Sequence, residues 1–386
     1  METPEHRLMM RLSVVVGDLV ILLPAIFMFS AVPLTLVTLL AYPGLIIIDH
    51  GHFQYNNISL GLALMAVASV TRGRHVLGSV LFVLALNYKQ MELYHALPFF
   101  FYLLGICWRQ RTVVGKLSKL VTIGLAVVIS FAVIWAPFIA LGPDAVLQVL
   151  RRVFPFDRGL FEDKVANFWC ALDVLVKLKQ KMAITDLTKL CALTTCVAIL
   201  PSNLHLLVNP TSRNFVLALV NTSLGFFLFS YHVHEKTILL AAIPICLLTF
   251  TETRESLVVR TVVPWLLTIT TFSMLPLLIK DGLLLPALSL SVLYLTLVHN
   301  LESLKTIGTE RPRSVTSSRS LKSPAPLPVD TKAEIVTKRL SVISLLGCAL
   351  LTLCSVTAPT PTRFSLLFLA PTEALGSQMS ARPIQV

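Results

Sequence analysis

Apolar runs of about helix-spanning length alternate with short polar segments along the whole chain. A helix needs about twenty apolar residues to cross the hydrocarbon core, and somewhat shorter ones cross where the bilayer thins. The runs lie at 12–29, 31–48, 58–70, 76–86, 93–106, 120–140, 187–208, 215–231, 238–250, 262–279, 283–298 and 343–356. The pattern therefore predicts an all-α, polytopic membrane protein with about twelve transmembrane helices.

The composition agrees with a membrane protein and excludes several other classes. Of the 386 residues, 13% are charged and 55% are hydrophobic, whereas soluble domains carry about 25% charged residues. The net charge of +12 comes from basic residues in short loops between apolar runs, a positive-inside pattern rather than a nucleic-acid footprint. We therefore expect contact with membrane lipid and no nucleic-acid partner. The seven cysteines have no metal-ligand spacing, so we expect no metal and no cofactor.

The charges in the loops orient the chain. Segments 71–75 and 107–119 are basic and contain no acid, so both are predicted to be cytosolic. Counting crossings from them puts 49–57, 87–95 and 232–236 on the opposite side of the membrane, together with the long segment 141–185. That segment mixes charged and aromatic residues in the manner of amphipathic helices lying among lipid headgroups.

The same pattern divides the chain into five parts. These are 1–140 and 186–300 as the transmembrane module, 141–185 as a far-side loop, 301–340 as a basic, largely disordered cytosolic loop, and 341–386 as a last span with a divergent tail. The crossing count puts Met1 on the far side, yet His6, Arg7 and Arg11 precede the first run. Basic residues there are normally held in the cytosol, so the pattern predicts that a preceding span is missing from this chain.

Four polar clusters interrupt the apolar pattern, and such side chains do not face lipid. They read Asp49-His50-Gly51-His52-Phe53-Gln54-Tyr55-Asn56, Asn87-Tyr88-Lys89-Gln90-Met91-Glu92-Leu93-Tyr94-His95, Arg158-Gly159-Leu160-Phe161-Glu162-Asp163-Lys164 and Val233-His234-Glu235-Lys236. All four are predicted to reach the same side of the membrane. Their convergence predicts a polar site on that face.

These motifs, in this order, resemble the eukaryotic glucosyltransferases of the endoplasmic reticulum that extend the dolichol-linked oligosaccharide. The resemblance covers roughly residues 5–356. It implies a GT-C fold, a dolichyl-phosphate-glucose donor, a dolichol-pyrophosphate-linked high-mannose oligosaccharide as acceptor, and an active face in the lumen. Gly51 between two histidines and the run 89–92 are more similar to the enzyme that adds the first α-1,3-glucose than to the sibling that adds the second.

The resemblance also implies a catalytic acid upstream of Met1. Family members begin with a cytosolic N-terminus and a first span, and a long luminal loop that carries the acid follows. Residues 5–11 resemble the sequence just after that loop. A base is required to take the proton of the acceptor hydroxyl. Asp49 and Glu92 are the candidates for it within this chain.

The leaving phosphate needs positive charge more than it needs a proton. Candidates for the donor's phosphate and sugar are His234, Lys236, Lys89, His52, Gln54 and Arg158. Simpler roles stay open, since His234 can pack at a helix end, Lys236 can pair with Glu235, and Asn56 can cap the following helix. His50 and His52 are two residues apart, which points them in different directions on a helix. We therefore expect no metal between them.

Two other readings follow from the same residues. A membrane transporter would carry charges at span centres and matching halves, whereas Asp18 is the one clear mid-span charge and no internal repeat is visible. Asp18 is equally well explained by a hydrogen bond between helices. A truncated, non-catalytic member of the family fits the expected lack of the acid-bearing loop.

Overall fold

The computed structural model describes residues 3–153, 165–253, 256–306 and 331–357. Within these ranges the chain is helical and contains no strand, which confirms the all-α prediction. Eight helices there are long and apolar enough to cross a membrane, and three shorter apolar helices accompany them. The eight are Pro4–Phe27, Pro33–Gly51, Gln90–Trp108, Val113–Ala140, Ile184–Val208, Ser212–Phe229, Leu284–Leu301 and Glu334–Leu353. The polytopic class is confirmed, and the count of about twelve crossings stays a prediction.

Most helices of the N-terminal half begin where the sequence offers a proline or a cap. Its helices are α1 (Pro4–Gly17), α2 (Leu23–Phe27), α3 (Pro33–Ala41), α4 (Pro43–Ile46), α5 (Asn56–Thr71), α6 (His75–Tyr88), α7 (Leu93–Trp108) and α8 (Val113–Ala140). Proline suits the first helical turn, because its missing N–H would have no partner there. Thr112 caps α8 by accepting a hydrogen bond from the Gly115 N–H at 3.0 Å. Two π-helical turns, Asp18–Leu22 and Ile47–Gly51, interrupt this half beside its polar residues.

The C-terminal half continues with ten helices in the described ranges. They are α9 (Pro143–Val153), α10 (Phe168–Val176), α11 (Leu178–Lys181), α12 (Ile184–Val208), α13 (Ser212–Phe229), α14 (Ile238–Thr251), α15 (Val263–Ser273), α16 (Leu275–Lys280), α17 (Leu284–Thr306) and α18 (Thr331–Thr357). Helices α9 to α11 lie in the segment predicted to hold amphipathic helices. The disordered loop predicted at 301–340 is too wide, because α17 runs to Thr306 and α18 begins at Thr331.

The core of the bundle is α14, which is buried along nearly its whole length. It packs against α3, α13 and α15. Helix α8 is its opposite, since Ile123 is its buried residue while Val128 and Val133 are among many exposed apolar side chains. An apolar helix that faces outward is stable in lipid, where burying apolar surface offers little further gain. The exposed stripe of α8 is therefore a lipid-facing surface.

Buried hydroxyls and amides join the core helices to one another. Thr249 of α14 donates to Thr35 of α3 at 2.8 Å, and Asn203 of α12 donates to Thr222 of α13 at the same distance. Such bonds in membrane bundles contribute about 0.6 kcal/mol each on average. Because each bond joins one residue to one partner, they fix the positions of neighbouring helices relative to each other.

Candidate active site

The first polar cluster turns the chain from the π-helical turn at 47–51 into α5. Asp49 is fully buried, and its carboxylate accepts hydrogen bonds from the Asn57 backbone N–H at 2.6 Å and from Asn56 Nδ2 at 2.8 Å. The carboxylate thus satisfies a free N–H group in the first turn of α5, as a capping side chain does. The alternative in which Asn56 caps this helix is wrong, because Asp49 supplies the acceptor.

Lys89 links the second cluster to the first. Its ammonium group donates to Asn56 Oδ1 and, at 3.4 Å, to Gln54 Oε1. Burial lowers the pKa of Lys89 below its ordinary value, and the nearby carboxylate of Asp49 opposes that shift. Lys236 lies close enough to Lys89 to disfavour its charge as well. The structure therefore brings two predicted phosphate ligands near each other.

A narrow cavity of about 10 Å³ lies between these lysines, large enough for about one water. Lys89 and Lys236 line it together with Asn56, Ser59, Glu92 and Thr237. Side chains from three of the four polar clusters thus share one cavity. Two basic groups beside one cavity favour an anion there, because a nearby negative charge stabilises the charged form of each.

A hydrogen-bond network of Glu92, His95 and Ser59 forms part of the cavity wall. Glu92 and His95 are buried and lie 2.7 Å apart between Oε2 and Nδ1, and Ser59 Oγ donates to Glu92 Oε1 at 3.1 Å. His95 Nε2 donates to the Leu240 carbonyl of α14 at 2.8 Å. Since a carbonyl can only accept, one further proton is shared between Nδ1 and the carboxylate, and the pair carries no net charge. The network joins α5, α7 and α14.

Two histidine–carboxylate pairs lie at the rim of the site. His50 Nε2 lies 2.7 Å from Asp18 Oδ2, and Asn57 Nδ2 donates to the other oxygen of Asp18 at 2.9 Å. His52 Nδ1 pairs with Asp281, in the turn between α16 and α17. The two histidines contact different carboxylates, as their spacing predicted. The sequence left two explanations for Asp18, a charge in a transport path or a hydrogen bond between helices. The structure shows the hydrogen bonds.

Sequence reasoning missed Asp281 as a member of this group. It lies far along the chain from His52, and the signal that could have found it was its place in the short polar turn between the apolar runs at 262–279 and 283–298. Gly51 brings that turn close, because a Cβ at this position would approach the Leu283 side chain to 2.9 Å. The small residue between the two histidines therefore has a packing reason.

Phe53 marks a strained turn in the first cluster. Its φ is +67°, in the left-handed region that side chains other than glycine rarely adopt. Such a residue costs about 1–3 kcal/mol and is retained where the surroundings require it. Here the turn separates His52, which contacts Asp281, from Gln54, which contacts Lys89.

The other predicted site residues are His234, Arg158 and the two candidate bases. His234 is partly buried and begins the turn to α14, where its carbonyl accepts from the Thr237 hydroxyl at 2.7 Å. Arg158 lies outside the described residues, as does the rest of the third cluster. Asp49 and Glu92, the candidate bases, are buried and hydrogen bonded to protein groups through both oxygens.

The chain is similar to known glycosyltransferases. The model of the ALG6, ALG8 glycosyltransferase family matches residues 1–381. A chicken relative (Gallus gallus) named dolichyl pyrophosphate Man9GlcNAc2 alpha-1,3-glucosyltransferase is 49% identical over 294 residues, which cover 74% of this chain and 56% of that protein. Relatives of the same name in rat (Rattus norvegicus) and orangutan (Pongo abelii) are 46% and 40% identical, cover 74% and 95% of this chain, and are themselves covered to 57% and 72%.

Proposed function

The chain belongs to the ALG6, ALG8 glycosyltransferase family, and from this we propose that it is an α-1,3-glucosyltransferase. It transfers glucose from dolichyl-phosphate-glucose to the dolichol-pyrophosphate-linked high-mannose oligosaccharide. The reaction takes place at the luminal face of the endoplasmic reticulum membrane. The resemblance stated from the motifs is confirmed at the level of the family. The proposal goes further, because the chain spans 56% of the chicken relative's length.

The observation that carries the proposal is the pairing of Lys89 and Lys236 at one cavity. The two lysines come from different clusters and share their surroundings with the amides of Asn56 and Gln54. Departure of dolichyl phosphate leaves negative charge on its oxygens, and fixed positive groups stabilise it. The amides are suited to sugar hydroxyls, since each can both donate and accept. The residue types beside this cavity therefore suit the phosphate and the sugar of a phosphosugar donor.

The base of the reaction is a separate question. Asp49 caps α5 and Glu92 shares a proton with His95, so both carboxylates are engaged in holding the fold. A base needs an oxygen within hydrogen-bond reach of the acceptor hydroxyl. This arrangement favours structural roles for both residues and agrees with a base in the upstream loop that the resemblance implies.

Expression in cells that lack the first-glucose enzyme tests the proposal. The chain as printed is compared with the same chain preceded by a span and an acid-bearing loop of the kind found in the family. We expect chromatography of the lipid-linked oligosaccharide to show restored glucose with the extended form. Restored glucose with the chain as printed would instead assign the base to a residue within it. Activity of neither form would contradict the proposal, and cells lacking the second-glucose enzyme would then test the sibling activity.

A lysine variant tests the site itself. We expect Lys236→Met in the active form to reduce transfer at least about tenfold, since a lost charge-assisted hydrogen bond is worth about 1.5–3 kcal/mol. Lys189→Met is the matched control, because Lys189 is exposed and its nearest acid, Asp186, is 3.9 Å away. Equal activity of the two variants would remove Lys236 from the donor site.

A further inference from the structure

A second polar site lies at the end of α6 opposite Lys89. The cleft there has a volume of about 690 Å³ and lies between the first turns of α6 and the second turn of α8. Arg74, His75 and Lys119 supply its basic groups, and Thr122 supplies a hydroxyl. Helix α6 has 14 residues, which correspond to about 21 Å along its axis. The cleft is therefore distinct from the cavity at Lys89.

The basic groups of this cleft differ from their neighbours in what they bind. Arg72 donates to the carbonyls of Ala68 and Met28, and Arg109 donates to the Val208 carbonyl at 2.8 Å. Those two arginines hold helix ends together. The side chains of Arg74 and Lys119, in contrast, make no hydrogen bond or ion pair with the described part of the chain. Their positive charge is left for a ligand.

The walls of the cleft indicate what kind of ligand fits. Val76, Leu77 and Ile123 form part of the lining, and the first two are 42% and 45% exposed. Leu120 and Val121, which follow Lys119 along α8, are 45% and 54% exposed. These belong to the lipid-facing surfaces of α6 and α8. A ligand that fits must carry negative charge at its head and an apolar chain beside it. Basic pockets between transmembrane helices bind anionic lipid headgroups for this reason.

We propose that this cleft binds an anionic phospholipid, with the headgroup phosphate between Arg74 and Lys119 and an acyl chain along Val76 and Leu77. The predicted orientation places 71–75 and 107–119 in the cytosol, where the anionic lipids of a membrane face the protein. Charge complementarity selects the headgroup, and the exposed apolar wall distinguishes a lipid from a free anion. The proposal does not depend on the glucosyltransferase reaction.

The test is native mass spectrometry of the purified full chain with an equimolar mixture of phosphatidylserine and phosphatidylcholine. We expect preferential retention of phosphatidylserine. Each basic side chain near an anionic lipid contributes about 1 kcal/mol, so the double variant Arg74→Gln/Lys119→Gln should lose that preference roughly tenfold to thirtyfold. The conservative variant Arg74→Lys/Lys119→Arg should keep it within about threefold.

A matched control separates a site from general attraction. Arg111→Gln/Lys116→Gln removes two charges from the same basic segment but from residues outside the cleft, and it should change the preference less than about twofold. An equal loss in both double variants would overturn the proposal, as would equal retention of the two lipids by the unmodified chain. Displacement of phosphatidylserine by millimolar inorganic phosphate would identify a free-anion site instead. Thermal unfolding of each variant without added lipid shows whether it is folded.

Discussion

Two sets of acidic residues lie within this one polar site, and they differ in what surrounds them. Asp49 and Glu92 are fully buried, and every carboxylate oxygen accepts a hydrogen bond or shares a proton with the protein. Asp18 and Asp281 lie at the rim with side chains 16% and 26% exposed, each paired with a histidine. The same residue types therefore serve two purposes.

This difference in burial and hydrogen bonding offers a way to distinguish structural from functional carboxylates in a membrane protein. A buried acid that caps a helix or neutralises a histidine is held by bonds that a substrate would have to break. A pair at the rim keeps access to water, and its rearrangement costs little free energy, because exposed ion pairs contribute about 0–1 kcal/mol. Motif membership alone would treat Asp49 and His52 alike. Removal of individual groups tests whether they really differ.

The largest loss of folding stability is expected when Glu92 is replaced. In Glu92→Ala, His95 and Ser59 lose their buried partner, and breaking such a buried pair costs about 3–5 kcal/mol. Glu92→Gln keeps an acceptor for one neighbour and should cost less than half as much. Thermal unfolding in detergent measures both. Glu334→Ala is the control, since that partly exposed acid is bonded to Lys338 on one helix, and it should leave the unfolding midpoint unchanged.

A smaller loss is expected when the cap of α5 is removed. Asp49→Ala leaves the Asn57 N–H without an acceptor, and loss of a cap costs about 1–2 kcal/mol. Asp49→Asn retains an oxygen for that N–H and should recover most of the stability. The same unfolding measurement applies. If Asp49→Asn were as stable as the unmodified chain yet inactive, Asp49 would act in the chemistry and the comparison would fail.

Lys89 lies at the boundary between the two sets, and pH tests it. Because burial lowers its pKa, the folded chain loses this charge at lower pH than the unfolded chain, whose lysines titrate near about 10.4. Between those two values the unfolded state binds more protons, so folding stability should rise with pH. Donor affinity should fall over the same range, because the phosphate loses a cation.

Folding stability and donor affinity are expected to change in opposite directions with pH, which makes the test specific to Lys89. Steady-state kinetics from pH 7 upward should show the KM for the donor rising while the unfolding midpoint rises or holds. Lys89→Arg should flatten the KM profile, since a guanidinium stays charged. Lys189→Arg, at an exposed position, should leave the profile unchanged. A KM that rose equally in all three proteins would report titration elsewhere.

The smallest effect on stability is expected at the rim. Asp281→Asn and His52→Ala should each change the free energy of unfolding by less than about 1 kcal/mol, with a coupling between them of the same size. A double-mutant cycle by thermal unfolding measures this. A coupling above about 3 kcal/mol would place the pair with the buried network instead of the rim.

Much of the fold was predictable because membrane helices are encoded by long apolar runs, which are visible in the sequence. The run predicted at 58–70 is α5, and the run at 238–250 is α14, each within two residues of the observed ends. The predicted disordered loop at 301–340 failed at its edges, where α18 begins at Thr331. Polar residues such as those at 331–340 continue a helix beyond the membrane without contributing to its hydropathy.

The candidate site was predictable in part. The clusters that hold Lys89 and Lys236 were expected on one face from loop charges alone, and they share one cavity. Asp281 was missed, since one acid in a short turn has no periodic pattern around it and its contact with His52 joins distant parts of the chain. The cap by Asp49 and the proton shared by His95 also required three-dimensional contacts.

The helical membrane class, the family and the residue types of the site all follow from the amino-acid sequence. These follow from hydropathy and from motifs, which are local properties of the chain. Only the tertiary structure decided which carboxylates are buried and bonded and which remain at the rim. Burial and hydrogen bonding depend on how α5, α7, α14 and the turn before α17 meet. Residues far apart along the chain make those contacts, so no local pattern specifies them.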